Sequence, residues 1–374
     1  MSEKTEILYP AEFVFPGHPD KLCDAIADAL VAAAIAREPR ALVGVEVAVH
    51  RDRVFVTGRI GGHDAGSIDV PEIVREVYRS AGYGDGWYPA AEELRIETDL
   101  CVGPLEDGEP DCRVLSDDQA ICVGYAVDRP ETQYLPVEQW LVGQLARRLH
   151  CLRTERPDLE LGPDGKVLAV VGESAGSFAL RGFSCSLQQR AAAEAIALHR
   201  AVRVTIEEEL QRLSLSLPAL SGQVPEPLAV NGAGAFEVGG PEGDNGLSGK
   251  KLVMDAYGPR VAIGGGAWSG KDFHKADRAG ALLARRLAKL VVLAGMSREA
   301  TVTVNFAPGD RAAQLVNVVA EGAGMHAAQR CLRFLEADLS ASGGRWCPDG
   351  ALVEVAWWGH FQDARLPWES FGRL

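Results

Sequence analysis

The chain has 374 residues and a net charge of −14, and a chain of this length is expected to form two or three domains rather than one core. Hydrophobic residues make up 47% and charged residues 24%, which excludes a largely disordered chain, and the acidic balance argues against a protein that coats nucleic acid. The longest apolar run, Ala29 to Ala36, is far shorter than the ~20 residues of a membrane helix, and residues 1–4 lead into no apolar segment of the signal-peptide kind. We therefore expect a soluble, cytoplasmic protein without a membrane or nucleic-acid partner.

Four long helices are predicted from apolar residues that recur every three or four positions. They span 20–38, 137–151, 187–213 and 275–294, with shorter helices at 71–81 and 322–339. Strands are predicted from β-branched or alternating segments at 43–49, 53–58, 168–172, 252–255 and 300–306, with a polar hairpin turn at 50–52. Strand pairs followed by a long helix, about three times over, predict an α+β fold with helices on one face of each sheet.

A histidine, a carboxylate and a lysine lie together at the start of the first predicted helix, in the segment GHPDK at 17–21. The N-terminus of a helix presents free N–H groups that bind anions, and a carboxylate there can hold Mg²⁺ bound to a phosphate. Taken alone, Asp20 is better explained by its stabilising effect on the helix N-terminus.

The segment from 230 to 272 is rich in glycine, with 12 glycines among its 43 residues. Glycine costs conformational entropy on folding, so this density predicts tight turns or a backbone that comes close to a ligand. Lys250, Lys251 and Lys271 lie within the segment, and ammonium groups neutralise phosphate. A P-loop is excluded because Asp272 stands where serine or threonine is required. Each lysine by itself is explained as a solvated surface charge, so the hypothesis of a phosphate site depends on the cluster.

These motifs resemble those of the S-adenosylmethionine synthetases, or methionine adenosyltransferases. The matching segments occur in the family's order over nearly the whole chain: GHPDK at 17–21, DQ at 118–119, GYA at 124–126, PDGK at 163–166, AFEVGGPEGDNGLSGKKLVMDAYG at 235–258, GGGAWSGKDFHKADR at 264–278, GHF at 359–361 and PWE at 367–369. The resemblance implies an ATP-dependent adenosyltransferase that joins the sulfur of methionine to C5′ of ATP. The released triphosphate is then cleaved to pyrophosphate and phosphate.

The resemblance also implies a fold and an assembly. We expect three similar α+β domains around a pseudo-threefold axis, with sheets packed at the interface of a homodimer or a dimer of dimers, and active sites that take residues from both chains. The domains are placed at 1–130, which is approximate and interleaved with the others, at 131–230 and at 231–374, the last with the glycine-rich polyphosphate-binding loops.

Site residues follow from the resemblance position by position. The catalytic positions that contact the polyphosphate are matched by His18, Lys250, Lys251 and Lys271. The ATP-binding positions are matched by Asp118, Asp164, Lys166, Phe236, Asp244 and Lys275, where Phe236 stacks on adenine and Asp164 binds ribose. Two Mg²⁺ ligands are matched by Asp20 and Asp277, and the acidic residue linked to a K⁺ site by Glu46. The acceptor side is matched by Arg59, Asp118, Asp244, Lys275 and Pro308.

Departures from the family pattern concentrate on the acceptor side. Arg59 aligns with a glutamate that holds the amino group of methionine, Pro308 replaces an isoleucine, and the acidic stretch 92–115 lacks the loop that contacts methionine. A guanidinium repels an ammonium, so we expect methionine to be a poor substrate, with a different, anionic acceptor as the alternative. A misregistered alignment beside an inserted stretch at 63–67 is the other explanation of Arg59. Two further alternatives are a polyphosphatase and a non-catalytic, nucleotide-binding partner subunit.

Overall fold

The protein, described here from a computed structural model, has an α+β fold in which residues 5–190, 195–322, 324–335, 337–346 and 351–371 are described. The strands are β1 Ile7–Val14, β2 Leu42–His50, β3 Arg53–Gly61, β4 Arg95–Gly103, β5 Ala120–Val127, β6 Leu161–Ser174, β7 Ser177–Gln189, β8 Leu228–Val230, β9 Gly246–Leu247, β10 Glu299–Phe306 and β11 Gln314–Ala320. The helices are α1 Pro19–Arg37, α2 Val70–Ala81, α3 Val137–Glu155, α4 Ala195–Ser216, α5 Gly240–Gly243, α6 Leu252–Asp255, α7 Ala276–Leu293, α8 Met325–Phe334, α9 Leu339–Arg345 and α10 Leu352–Trp358. The predicted fold class is confirmed.

Within the described residues the strands form three sheets, in the orders β4-β3-β2-β9, β1-β6-β7-β8 and β11-β10-β5. The pairing is antiparallel except between β3 and β4 and between β7 and β8. Each sheet joins strands that are distant in the chain, since β1 pairs with β6 and β5 pairs with β10. The three predicted stretches therefore interleave in space, and their boundaries stay a prediction.

One face of each sheet is covered by a long helix, as predicted. Helix α1 packs on β2, α3 on β6 and β1, and α7 on β5 and β10. Side chains alternate between the faces of a strand, and Phe55, Ile121 and Leu168 lie between buried neighbours with 44%, 64% and 44% of their surface exposed. The uncovered faces therefore present large apolar side chains. No helix in the described ranges combines the length and the apolar character needed to cross a membrane.

Three predicted elements differ from the structure. Residues 252–255, predicted as a strand, form the single turn of α6, whose Asp255 is fixed by an ion pair with Lys21 of α1 rather than by a neighbouring strand. Residues 187–189 complete β7, pairing with β6, and do not begin the helix predicted at 187–213; α4 begins at Ala195, and 191–194 lie outside the described residues. The helix predicted at 322–339 is divided into α8 and α9, because Asp338 caps a new helix by accepting the N–H of Ala341.

The closest approach between β5 and α7 depends on Gly124. A Cβ atom at this position would lie 1.9 Å from the carbonyl oxygen of Ala284 and 2.5 Å from the nitrogen of Arg285. We expect Gly124→Ala to lower the free energy of unfolding by roughly 1–3 kcal/mol, since the added methyl forces helix and sheet apart. Urea denaturation measures this. In the control variant, Gly182→Ala in β7, the new Cβ meets only Val170 at 3.5 Å, and equal stabilities of the two variants would contradict the expectation.

Candidate active site

His18 caps the N-terminus of α1 and is 2% exposed. Its Nδ1 accepts a hydrogen bond from the backbone N–H of Asp20 at 3.2 Å, whereas its Nε2 has no partner among the described residues. Burial, followed by the charges of Lys166 and Lys251, lowers the pKa of His18 to about 3. The ring is therefore neutral near pH 7. Because Nδ1 is the acceptor, the proton lies on Nε2 and is available to a ligand.

Asp20 organises the first pair of lysines. Its Oδ2 accepts a hydrogen bond from Lys251 Nζ at 2.7 Å, and its Oδ1 accepts the N–H of Leu247 at 3.0 Å and lies 3.7 Å from Lys250 Nζ. Burial by itself would raise the pKa of Asp20, but the hydrogen bonds from Lys251 and Leu247 outweigh it and lower the pKa. The carboxylate is therefore ionised and balances the ammonium groups in the absence of a ligand.

A second pair of lysines lies at the start of α7. Lys271 Nζ is hydrogen-bonded to Asp277, and Lys275 Nζ to Asp117. Gly266 of the triple glycine passes so close that a Cβ there would lie 2.0 Å from the carboxyl carbon of Asp277. This second pair therefore also has carboxylate partners, and a side chain at position 266 would collide with one of them, Asp277.

The two lysine pairs lie at different positions along β2. Leu247 of β9 pairs with Ala48, next to the first lysine pair, whereas Lys271 forms a bridge with Gly44. At about 3.3 Å per strand residue, these positions are ~13 Å apart. Within one chain the predicted polyphosphate residues therefore form two half-sites.

A cavity of about 590 Å³ lies beside the second lysine pair. Its lining includes Asp118, Asp277, Phe306 and Pro308. Two of the predicted acceptor positions, Asp118 and Pro308, thus share one cavity with a predicted metal ligand. Arg59 is not among the described residues that line it.

Asp164 and Phe236 meet at the turn around Gly240. Asp164 Oδ2 accepts the N–H of Gly240 at 2.8 Å, while Oδ1 is buried and unpartnered within the described residues. Burial raises the pKa of Asp164 to about 6. A Cβ at Gly239 would lie 3.0 Å from the tip of the Phe236 ring. An aromatic ring and a free carboxylate oxygen therefore flank the same turn.

Lys166, Asp244 and Glu46 are predicted site positions that are exposed. The charge of Lys166 is among the causes that lower the pKa of His18, which places its ammonium near the imidazole. Asp244 accepts the N–H of the following residue at 2.8 Å, and Glu46 accepts the hydroxyl of Ser248. These side chains have polar atoms left for a ligand.

Arg59 is held by a full set of internal hydrogen bonds. Its Nε and Nη2 donate to the carboxylate of Glu109 at 2.9 and 2.8 Å, and the remaining N–H groups donate to the carbonyls of Ile60, Cys101 and Pro104. A guanidinium has five N–H donors, so none is left for a ligand in this arrangement, and Glu109 balances the charge. The structure thus gives Arg59 a part in holding the loop from 104 to 109, and its part in acceptor binding stays a prediction.

Sequence reasoning does not single out Asp117 or Glu109, because their importance depends on which cation each one meets. A signal that was available is the scarcity of lysine, since only 8 of the 38 basic residues are lysines. Six of the eight lie in the motif segments, at positions 21, 166, 250, 251, 271 and 275. Lysine presents a compact charge with three rotatable donors, whereas arginine presents a planar fork. The bias indicates positions that require the smaller cation.

The predicted metal carboxylates, Asp20 and Asp277, stand singly. In the described part of the chain no three His, Cys, Asp or Glu side chains gather as metal ligands would. Mg²⁺ in phosphate sites is commonly held by one or two carboxylates together with phosphate oxygens and water. The donors therefore fit a phosphate-bound Mg²⁺ and do not fit an all-protein cage. Glu46 offers a single carboxylate toward K⁺.

Comparison with known proteins finds matches over most of the chain. Residues 6–100 match the family model described as S-adenosylmethionine synthetase, N-terminal domain, and residues 238–370 match the model of the C-terminal domain. S-adenosylmethionine synthase of Prochlorococcus marinus (strain MIT 9313) is 32% identical over 97% of this chain and 94% of its own length. The synthase of Thermosynechococcus vestitus is 31% identical over 98% and 96%, and that of Synechococcus sp. (strain RCC307) is 32% identical over 97% of each.

We expect the imidazole of His18 to remain neutral, with the proton on Nε2, at every pH from about 5 to 9, because burial and the neighbouring lysines hold its pKa near 3. Nitrogen-detected NMR of the labelled protein reports the protonation of each ring nitrogen. The urea-unfolded chain, in which histidine titrates near its ordinary value of about 6.5, is the control. A His18 resonance that titrates near pH 6.5 in the folded protein would contradict the geometry.

Proposed function

The chain belongs to the S-adenosylmethionine synthetase family, and from this premise we propose that it is an ATP-dependent adenosyltransferase that forms S-adenosylmethionine from ATP and methionine. The observation that carries the proposal is the pairing of Lys250, Lys251, Lys271 and Lys275 with carboxylates beside glycine-rich loops. Such an arrangement suits a polyphosphate leaving group. An anionic acceptor is not favoured, since Glu109 neutralises the one charge that suggested it.

The proposed reaction demands stabilisation of negative charge. The sulfur of methionine forms a bond to C5′ as the C5′–O bond breaks, and the electron pair leaves with the triphosphate. Water then cleaves the triphosphate into pyrophosphate and phosphate. Preorganised donors aimed at the developing charge lower such a barrier most effectively. The Nε2–H of His18 and the ammonium groups of the four lysines are the donors of this chain.

Without a bound ligand, the ammonium groups of the lysines are neutralised by the carboxylates that they contact. When a polyphosphate binds, Lys251 and Lys271 can turn from Asp20 and Asp277 to phosphate oxygens. Asp20 and Asp277 would then hold Mg²⁺, which supplies compensating positive charge. No carboxylate is left buried and unpaired by this exchange, which would otherwise cost several kcal/mol. Glu46 would contribute to a K⁺ site.

We assign the remaining predicted residues to the binding of the nucleoside or of the acceptor. Phe236 offers its ring to adenine, and the free Oδ1 of Asp164 offers an acceptor to a ribose hydroxyl. We assign Lys166 to ATP, and Asp244 to ATP and the acceptor. We place methionine in the cavity of about 590 Å³, where the carboxylate of Asp118 can bind its ammonium beside Pro308.

A dimer would complete the site. The two half-sites of one chain are separated along β2, and the open faces of the sheets present apolar side chains such as Phe55, Ile121 and Leu168. We propose that these faces meet in a homodimer or in a dimer of dimers, and that each active site takes one half-site from each chain. A cytoplasmic location is part of the same proposal.

Lys271→Ala tests the proposed function. The parent chain, incubated with ATP, Mg²⁺, K⁺ and methionine, is expected to give S-adenosylmethionine, pyrophosphate and phosphate by mass spectrometry. Removal of one cation from the leaving-group site is expected to lower turnover by about 10²–10³-fold, as for loss of one oxyanion donor. The control Arg95→Ala removes a cation that is 66% exposed and paired with Asp52, and it should leave turnover unchanged.

The products formed by the parent chain also distinguish the proposed function from its alternatives. Consumption of ATP without S-adenosylmethionine would identify a polyphosphatase, and nucleotide binding without turnover would identify a non-catalytic subunit. If Lys271→Ala turns over ATP within a few-fold of the parent, Lys271 is only a surface charge.

Arg59→Glu is expected to impair methionine use, because it places a second carboxylate beside Glu109 and releases the loop from 104 to 109. We expect a loss of stability of roughly 1–3 kcal/mol and no gain in kcat/KM for methionine. The charge-reversed double variant, Arg59→Glu with Glu109→Arg, should recover part of both losses. Thermal melting and steady-state kinetics give the two readouts. Improved methionine use by Arg59→Glu alone would return Arg59 to the acceptor site.

A further inference from the structure

Helix α1 carries a row of three aspartates at four-residue spacing: Asp20, Asp24 and Asp28. This spacing places them on one face of the helix. Asp20 accepts a backbone N–H of the glycine-rich segment, as described above. Asp24 Oδ1 accepts the N–H of Gly249 at 2.7 Å, and Asp28 Oδ1 accepts the N–H of Gly270 at 3.0 Å. One helix face therefore binds the backbone of both glycine-rich turns.

Each of these glycines directly precedes a lysine of the candidate site, Gly249 before Lys250 and Gly270 before Lys271. Both glycines have left-handed backbones, with φ of 74° and 84°, a region that favours glycine. A Cβ at Gly270 would lie 2.2 Å from the carbonyl oxygen of Val45. A Cβ at Gly249 would lie 2.6 Å from the Cβ of Ala267. Each turn is thus closed in by a neighbour on one side and bound by an aspartate on the other.

The burial of Asp24 and Asp28 is energetically unfavourable by itself. Asp24 and Asp28 are 1% and 0% exposed, and a buried carboxylate is unfavourable unless it is paired and hydrogen-bonded. Asp28 forms a two-fold ion pair with Arg278 at 2.7 and 2.9 Å, and Asp24 lies 3.5 Å from Lys21 Nζ. Apolar residues often replace a buried ion pair without loss of stability, so packing alone does not call for aspartate here. An apolar residue, however, could not accept the hydrogen bond from the glycine N–H.

We propose that Asp24 and Asp28 are positioning residues for polyphosphate binding, each fixing the glycine N–H that precedes a lysine, so that α1 orients Lys250 in one half-site and Lys271 in the other. The two anchors lie one turn apart, about 6 Å along the helix axis. The inference rests on the proposed function only for the identity of the bound anion. Neither aspartate is expected to touch the substrate.

Binding of Mg²⁺-tripolyphosphate, measured by calorimetry, tests the proposal in the full-length protein. Asp24→Ala removes the hydrogen bond to Gly249 and should raise the Kd by on the order of tenfold, the equivalent of one hydrogen bond. Asp24→Asn keeps an oxygen for Gly249 and should stay within about threefold of the parent. Asp28→Asn should likewise preserve the acceptor for Gly270.

Hydrogen exchange of the two glycine amides adds a readout that a general loss of stability would not reproduce. Asp24→Ala should speed the exchange of Gly249 and leave Gly270 protected, and Asp28→Ala should do the reverse. The matched control is Glu369→Gln, which weakens a buried ion pair to Arg285 and Lys289 far from the loops along the chain. It should lower the melting temperature without changing the Kd or either amide.

Three results would overturn the proposal: an unchanged Kd in Asp24→Ala, the same Kd in the Ala and Asn variants, or equal acceleration of both amides in each variant. If Asp28→Ala does not fold, the Kd values of the Asp24 variants and the exchange rate of the Gly249 amide still test the proposal. Neither readout needs adenosyl transfer. A parent chain that forms no S-adenosylmethionine but shows these shifts would refute the proposed function and support the positioning role.

Discussion

The candidate site depends on the burial of a charged helix. Of the 19 residues of α1, 14 are buried, among them Asp20, Lys21, Asp24 and Asp28. Lys21 contacts Asp255 and Asp28 contacts Arg278, and both partners lie more than 200 positions away in the sequence. The same contacts bring the first motif of the chain against the glycine-rich loops. Since such pairings are remote in sequence, the site can form only after long-range docking of α1, a feature typical of slow folding.

Sequence periodicity predicted α1, α3 and α7 because each of them packs an apolar face on a sheet. The bounds of α1, α3 and α7 differ from the predicted ones by a few residues, mainly at the C-terminal ends. The failures have local causes. Strand β1, with the sequence ILYPAEFV, contains a proline and a glutamate and shows no clear alternation. The four residues of α6 are too few to distinguish a helical period from a strand period, and a tertiary ion pair decides their conformation.

The lysines and aspartates of the candidate site could be located from motifs, but their partners could not. Asp117 meets Lys275, and Glu109 meets Arg59, only because the loop between β4 and β5 folds back over the sheet. The expectation that Arg59 repels an ammonium treated its charge as isolated. In the structure a carboxylate 50 positions away balances that charge, which a sign argument from sequence cannot anticipate. Charge in a site is a property of the fold as much as of the residue.

The scarcity of lysine has a consequence for the chemistry of the whole protein. Lys21 and Lys289 are buried, so the accessible side-chain amines of the described chain are those of Lys166, Lys250, Lys251, Lys271 and Lys275. Acylation removes the charge of a lysine, and here nearly every such event would fall on the candidate polyphosphate site. Attachment of the protein to a support through these lysines would block that site, whereas the exposed thiols of Cys101 on β4 and Cys151 on α3 lie outside the motif segments.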